Sequence, residues 1–257
     1  MNAPSSREIA PPPFVAETRI GFRFLGSQTW ETHVIRVALR DLERLIPGGK
    51  PLEPVVLDAG CGQGKSFRPL ADHFAPQRII AIDYAPQCVA LATSEAARQG
   101  LAVDVQRGDL AALEMPDASV DVVFCHQTFH HLVRQEEALG EFYRVLRPGG
   151  LLLFAESTRA YIESWIIRLL FRHPMDVQRS AGEYMEMLRA QGFRFGPENV
   201  SLPYLWWSRS DLGALEFFGL PVPQQGSREE TLINLAATKP LDKQHAIKNN
   251  LVPFSSR

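Results

Sequence analysis

The chain has few of the features that would take it out of the ordinary globular class. Its three cysteines, at positions 61, 88 and 125, are scattered and odd in number, with no C-x-x-C pair and no disulfide spacing. That pattern points to a reducing, cytoplasmic setting rather than a stapled secreted fold. Excess charge is also missing: 27 basic against 29 acidic residues leave a formal net charge of −2, which gives no reason to expect a polyanionic partner. No run of 18 apolar residues occurs, so no spanning helix is predicted. The start, Met1 to Pro13, is polar and proline-rich and has no apolar signal core. No internal repeat is visible. What is present is 45% hydrophobic residues in 257 positions, enough for one large α/β domain with additions.

The densest local signal is Val55-Val56-Leu57-Asp58-Ala59-Gly60-Cys61-Gly62-Gln63-Gly64-Lys65-Ser66. An apolar run ends in an acid, and glycines follow at 60, 62 and 64. This reads as a buried parallel strand, a tight turn and a helix start. Glycines at this density let a ligand lie on the backbone and accept positive φ. A dinucleotide fingerprint G-x-G-x-x-G fails, because its third glycine falls on Lys65. A phosphate loop fits loosely, as A-x-x-x-x-G-K-S over residues 59 to 66, with Ile79-Ile80-Ala81-Ile82-Asp83 as a second acidic strand. A carboxylate at Asp58, near the mouth of the loop, would repel a triphosphate. It would suit a zwitterion carrying an ammonium and a sulfonium. Asp83, about 20 residues on at the tip of the next apolar run, can accept bonds from both hydroxyls of a free ribose.

Asp58, Gly60, Gly62 and Gly64 match every fixed position of D-x-G-x-G-x-G. That loop resembles the one in class I S-adenosylmethionine (SAM) dependent methyltransferases. Gly108-Asp109-Leu110, the run Val120 to His126, and Arg147-Pro148-Gly149-Gly150 leading into Leu151 to Ala155 resemble the same family in the same order. The resemblance covers about residues 52 to 157 and is similar to the group that includes quinone-biosynthesis methyltransferases. It implies a doubly wound, seven-stranded, mostly parallel sheet (a Rossmann-like methyltransferase fold) with an antiparallel edge hairpin. It also implies SAM as cofactor, held by Asp58, Ala59, Gly60, Cys61, Gly62, Gly64, Asp83, Tyr84, Asp109, Leu110 and His126.

The expected organisation is a flexible arm over 1–18, a single domain over 19–240 and a loose tail over 241–257. Within the domain, 19–50 is a helical cap, 52–157 the cofactor-binding core, and 158–240 a lid or acceptor region with the edge strands. Helices are predicted over 27–46, 159–172 and 180–191, and a helix is expected to run up to Pro148. Strands six and seven are predicted over 200–207 and 231–238. The connection between them, 208–230, carries enough aromatic residues to expect order.

The acceptor is less legible. His126, His130 and His131, in Cys125-His126-Gln127-Thr128-Phe129-His130-His131, are candidates for a general base, since imidazole titrates near neutrality. Packing or helix-capping is the other reading of His130 and His131. No metal site is expected. No Pro-Cys pair, no Asp- or Asn-Pro-Pro-aromatic motif and no basic patch occurs, which argues against nucleic acid. The apolar 159–172 segment and Tyr204-Leu205-Trp206-Trp207 point to a small apolar or aromatic acceptor under a lid. The other readings of the lid are peripheral contact with a membrane carrying a lipid or quinone, and a packing or homodimer helix. A non-catalytic SAM-binding partner subunit also stays open.

Overall fold

The computed structural model describes Val15 and residues 17–241. Most of the expected N-terminal arm and all but the first residue of the expected tail lie outside the described residues. Three helical pieces come first. Thr18 caps α1 (Arg19–Leu25), its Oγ1 accepting from the Gly21 N–H at 3.0 Å. Ser27 caps α2 (Gln28–Trp30) in the same way. A π turn (Glu31–Ile35) then leads into α3 (Arg36–Leu45). The helix expected over 27–46 is therefore interrupted by a turn type that often marks functional positions.

The core alternates as expected: β1 (Val55–Ala59), α4 (Phe67–Phe74), β2 (Arg78–Asp83), α5 (Pro86–Gln99), β3 (Val103–Arg107), β4 (Val120–His126), α6 (Gln135–Val145) and β5 (Leu146–Ser157). After it come α7 (Arg159–Ile162), α8 (Trp165–Leu170), α9 (Ala181–Ala190), β6 (Val200–Ser201), α10 (Ala214–Phe217) and β7 (Leu232–Thr238). The sheet has seven strands in the order β3-β2-β1-β4-β5-β7-β6. β1 to β5 are parallel, and β7 runs antiparallel between β5 and β6.

Successive side chains on a strand point to opposite faces, and both faces are apolar here. Leu57, Ile80, Ile82, Val123 and Leu152 pack under α6 and α9. Val56, Ile79, Val122, Phe124 and Leu153 pack under α3 and α4. Ala81 meets α5 through Ala92 and Ala96. Burial on both sides makes the central strands continuous apolar runs. Strand order reverses between β1 and β4, so their carboxyl ends open a crevice where ligands bind in such sheets.

Several boundaries depart from expectation, each for a local reason. α6 stops at Val145, three residues short of Pro148, because β5 already begins pairing at Leu146 opposite Val120. Its register to β4 shifts between Val120 and Val122, which accommodates the turn with Gly149 at φ 82°. The 159–172 helix is two pieces, with Ser164 extended between them at ψ 143°. The sixth strand is only Val200–Ser201; Pro203 lacks the N–H a longer edge strand would need, and Trp206–Ser208 coils into a 3-10 turn. In the long connection, Phe217 and Phe218 are exposed, at 84% and 72%. Aromatic burial therefore does not order that segment. Arg209 does, a buried guanidinium bonding the carboxylates of Asp211 and Glu216.

Candidate active site

The glycine loop leaves the end of β1 and is anchored beneath β2: the Gly60 and Cys61 N–H groups both donate to the Ile82 carbonyl, at 2.8 and 3.1 Å. Its three glycines have different reasons. All hold positive φ, at 79°, 51° and 77° for Gly60, Gly62 and Gly64. A Cβ on Gly60 would stand 2.1 Å from Thr128 Cγ2, and one on Gly64 would stand 2.6 Å from the Phe67 ring. At Gly62 a Cβ would meet nothing within 4 Å. The first and third glycines allow the loop to pack; the middle one leaves backbone bare toward open space.

Side chains settle what the loop can hold. Lys65 Nζ pairs with Glu95 Oε1 at 3.0 Å on α5, and Ser66 Oγ donates to Asp58. Both groups that a phosphate loop would turn toward phosphate and magnesium are thus engaged with acids. Asp58 is not at the mouth of the loop, as expected from its position after the strand, but beneath it at 2% exposure. β1 is central and covered on both faces, so its last turn is enclosed. Burial pushes the Asp58 carboxyl up to about 7, with the Ser66 bond opposing and the Asp83 charge adding to the rise. Asp83 accepts from the Gly62 N–H and the Ala85 N–H, both at 2.9 Å, and burial raises it too.

A cavity of about 790 Å³ opens over this loop. Asp58, Gly60, Cys61, Gly62, Asp83, Tyr84, Asp109, Leu110 and His126 line it. Ala59 and Gly64 do not; Ala59 is wholly buried in the strand, and Gly64 sits against Phe67. Asp109 sits at its edge, ion-paired with Arg134. The His126 ring stacks on Phe124 at 5.8 Å and meets Trp30 edge-on at 5.7 Å. Its Nε2 is buried with no hydrogen-bond partner among the described residues, and burial pushes its pKa down to about 4.

A second cavity, of about 710 Å³, lies beside the first. Phe24, Trp30, Tyr161, Ile167, Phe171 and Trp207 are among its walls. Glu17, Leu25, Trp30, Gln127 and His131 line both cavities. α1 roofs the pair: Phe22 and Arg23 face the first, Ile20 and Phe24 the second. The roof is tied down twice, by Gln63 Nε2 donating to the Phe22 carbonyl at 2.6 Å and Thr18 Oγ1 donating to the Leu170 carbonyl at 2.5 Å.

Two of the candidate histidines sit in that second cavity. His130 Nδ1 is 2.6 Å from Glu156 Oε2. The other oxygen of Glu156 accepts from the Thr128 and Phe129 N–H groups at 2.9 and 2.8 Å, so one wholly buried carboxylate fixes the segment after β4. His131 Nε2 is 3.2 Å from Glu17 Oε1. The His173 ring stacks on His131 at 4.7 Å and lies 5.1 Å from His130. Burial lowers the pKa of His131 well below its ordinary value and that of His173 to about 3, with His130 adding to both. Burial raises Glu17 to about 6.

A methyltransferase-domain sequence profile matches residues 57–154. A probable S-adenosylmethionine-dependent methyltransferase of Mycolicibacterium smegmatis is 37% identical over 139 residues, covering 54% of this chain and 51% of that protein. The demethylmenaquinone methyltransferase of Deinococcus radiodurans is 30% identical over 162 residues, covering 54% of this chain and 67% of its own length. The chain belongs to the class I SAM-dependent methyltransferases. A SAM-dependent methyltransferase structure from Aquifex aeolicus shares the fold, with a TM-score of 0.59 at 20% identity over 85% of this chain and 97% of that one. The match spans about half of the first relative's length and two thirds of the second's.

The family's cofactor is SAM, and the residues of this chain fit it. Burial raises two carboxylates of the cavity, Asp58 and the partly buried Asp83, and a positively charged ligand beside them would favour their ionised forms. Open space over Gly62 leaves room for a ligand against the loop, and His126 Nε2 has no hydrogen-bond partner among the described residues. Glu17, Glu156 and His173 were not legible in advance. Glu17 lies in what reads as an arm, and His173 in a connection with no motif. Glu156 had one weak signal, a lone acid ending the apolar run Leu151 to Ala155.

Proposed function

We propose that the chain transfers the SAM methyl group to a small, largely apolar or aromatic molecule. The observation that carries the reading is the junction of the two cavities at Glu17, Leu25, Trp30, Gln127 and His131. A cofactor in the polar cavity would present its sulfonium toward an acceptor held by the aromatic one. In such a transfer the acceptor's electron pair forms a bond to the methyl carbon as the carbon–sulfur bond breaks. S-adenosylhomocysteine then leaves as a neutral thioether. Alignment alone can supply roughly 7–11 kcal/mol of the barrier. Asp83 would accept from the ribose hydroxyls and Asp109 from the adenine amino group. His126 would serve the methionine end of the cofactor. Where the acceptor must lose a proton, His131 is the histidine common to both cavities among the described residues. Glu17 Oε1 lies 3.2 Å from its Nε2, while His130 is held by Glu156 as a wall.

A second reading is favoured by α8. Ile166, Ile167 and Leu170 face the acceptor cavity, whereas Trp165 and Leu169 are 62% and 72% exposed. A helix apolar on both sides suits collection of a lipid or quinone from a membrane surface, and one relative named above acts on demethylmenaquinone. No helix among the described residues is long and apolar enough to cross a membrane.

The test uses the purified chain, methyl-labelled SAM and an extract of the source cell, partitioned between water and organic solvent. Label in the organic phase on a compound heavier by one methyl is expected. Label confined to water overturns the apolar acceptor, and SAM binding without any turnover overturns catalysis in favour of a partner-subunit role.

A further inference from the structure

The acceptor cavity contains a group of side chains that neither cofactor binding nor apolar packing accounts for. His130, His131 and His173 each place a ring nitrogen within 4.8 Å of the others. Two of the three rings are backed by a carboxylate. Glu156 bonds to His130 Nδ1 at 2.6 Å, and Glu17 Oε1 lies 3.2 Å from His131 Nε2. A ring that donates from one nitrogen to a carboxylate keeps the lone pair on the other. That is the outer-shell arrangement that orients metal-binding histidines and raises their basicity. On His131 the other nitrogen, Nδ1, is buried with no hydrogen-bond partner among the described residues. Three imidazoles in mutual contact, with centroids 4.3, 5.1 and 4.7 Å apart and only His131 and His173 stacked, bring no packing advantage that apolar residues would not give more cheaply.

We propose that His130, His131 and His173 bind a divalent first-row transition ion of the zinc type, leaving one coordination position open to an oxygen of the acceptor. Imidazole suits zinc, iron, cobalt and nickel rather than magnesium or calcium. Zinc–nitrogen bonds of about 2.0–2.1 Å put tetrahedral ligand atoms roughly 3.3 Å apart. The three ring nitrogens now lie within 4.8 Å of one another, so binding would draw them closer by up to about 1.5 Å. Three protein ligands and an open fourth position is the pattern of a catalytic rather than a structural zinc. All three histidines line the acceptor cavity, so the open position lies inside it. An acceptor enol or phenol coordinating there gives its proton to solvent as its oxygen binds, and the ion stabilises the oxyanion. His131 then acts as a ligand instead of a base. The choice of acceptor rests on the methyltransferase reading; the metal site does not. The expectation of no metal came from looking at residues 126 to 131 alone, and His173, some 40 positions away, completes the set.

The experiment is cobalt binding to the tag-free, chelator-stripped full chain without SAM or acceptor. One cobalt per chain is expected, with the intense visible absorption of a four-coordinate site and competition by zinc. His173→Ala should weaken binding at least tenfold while SAM still raises its melting temperature. His73→Ala, on α4, should leave cobalt binding unchanged. Sodium azide, entering the open position, should shift the spectrum. No cobalt bound at micromolar concentrations, or equal binding by His173→Ala, overturns the site; a spectrum that azide does not move overturns the open position. Because the readout needs neither cofactor nor turnover, its failure is separable from failure of the methyltransferase reading.

Discussion

The two cavities are of similar size, about 790 and 710 Å³, and meet along one line of residues, but they are built from different material. The first is made by a short stretch of backbone and by acids at strand ends, all on the rigid central strands β1, β2 and β4. The second is made of side chains from the first helices, the segment after β4, α7 and α8, and the 3-10 turn at Trp206–Ser208. Backbone placed by a sheet tolerates little variation. A wall of side chains can be rebuilt one residue at a time without disturbing the fold. The first cavity thus specifies a ligand closely, and the second specifies a chemical character.

Substitutions should separate the two cavities, beginning with the largest effect. Gly60→Ala drives a methyl into Thr128 at a positive-φ position, and is expected to cost several kcal/mol, about 3 or more. Circular dichroism melting should show it, whereas Gly62→Ala, facing open space, should keep the fold. Next, Asp83→Ala should lower SAM affinity at least about 100-fold, since each charge-assisted bond is worth roughly 1.5–3 kcal/mol. Calorimetry showing ordinary affinity in a folded Asp83→Ala protein would sink the ribose assignment.

Asp58 gives a pH signature. Its carboxyl is raised from 3.8 to about 7 in the fold, so between those values the folded protein holds a proton that the unfolded chain has released. Apo stability should therefore be full below about pH 4, fall as pH rises toward 7, and stay low above it, by roughly 4 kcal/mol at most. Asp58→Asn removes that loss while keeping an acceptor for Ser66. Its melting temperature should exceed wild type at pH 8 by several degrees and converge with it near pH 4. Its SAM affinity should fall about tenfold if, as proposed, the Asp58 charge faces the cofactor's positive groups.

On the acceptor side effects should be smaller and should leave SAM binding alone. Trp207→Ala removes the edge-on partner of Tyr161, 6.0 Å away, and should raise the acceptor KM about tenfold. Phe217→Ser, at an exposed position, should change stability by no more than about 0.5 kcal/mol.

The same contrast explains what could be read from the sequence. Asp58 to Gly64 and Asp83 announced themselves because a tight loop over a strand end needs glycine and an acid at fixed offsets. That the core strands run parallel followed from their alternation with helices. Pro203 stood in the predicted sixth strand and should have shortened it. The acceptor wall had no such grammar. Glu17, His130, Glu156 and His173 come together only because α1, the segment after β4, the end of β5 and the connection after α8 converge in space, and no spacing in the chain records that.

The roof over both cavities is one seven-residue helix, α1, stitched to the glycine loop through Gln63 and to α8 through Thr18. Lifting it to let a spent cofactor out also uncovers the acceptor. On the proposed reading, departure of the two products would be coupled in time, and turnover would respond to solvent viscosity and to the strength of those two stitches.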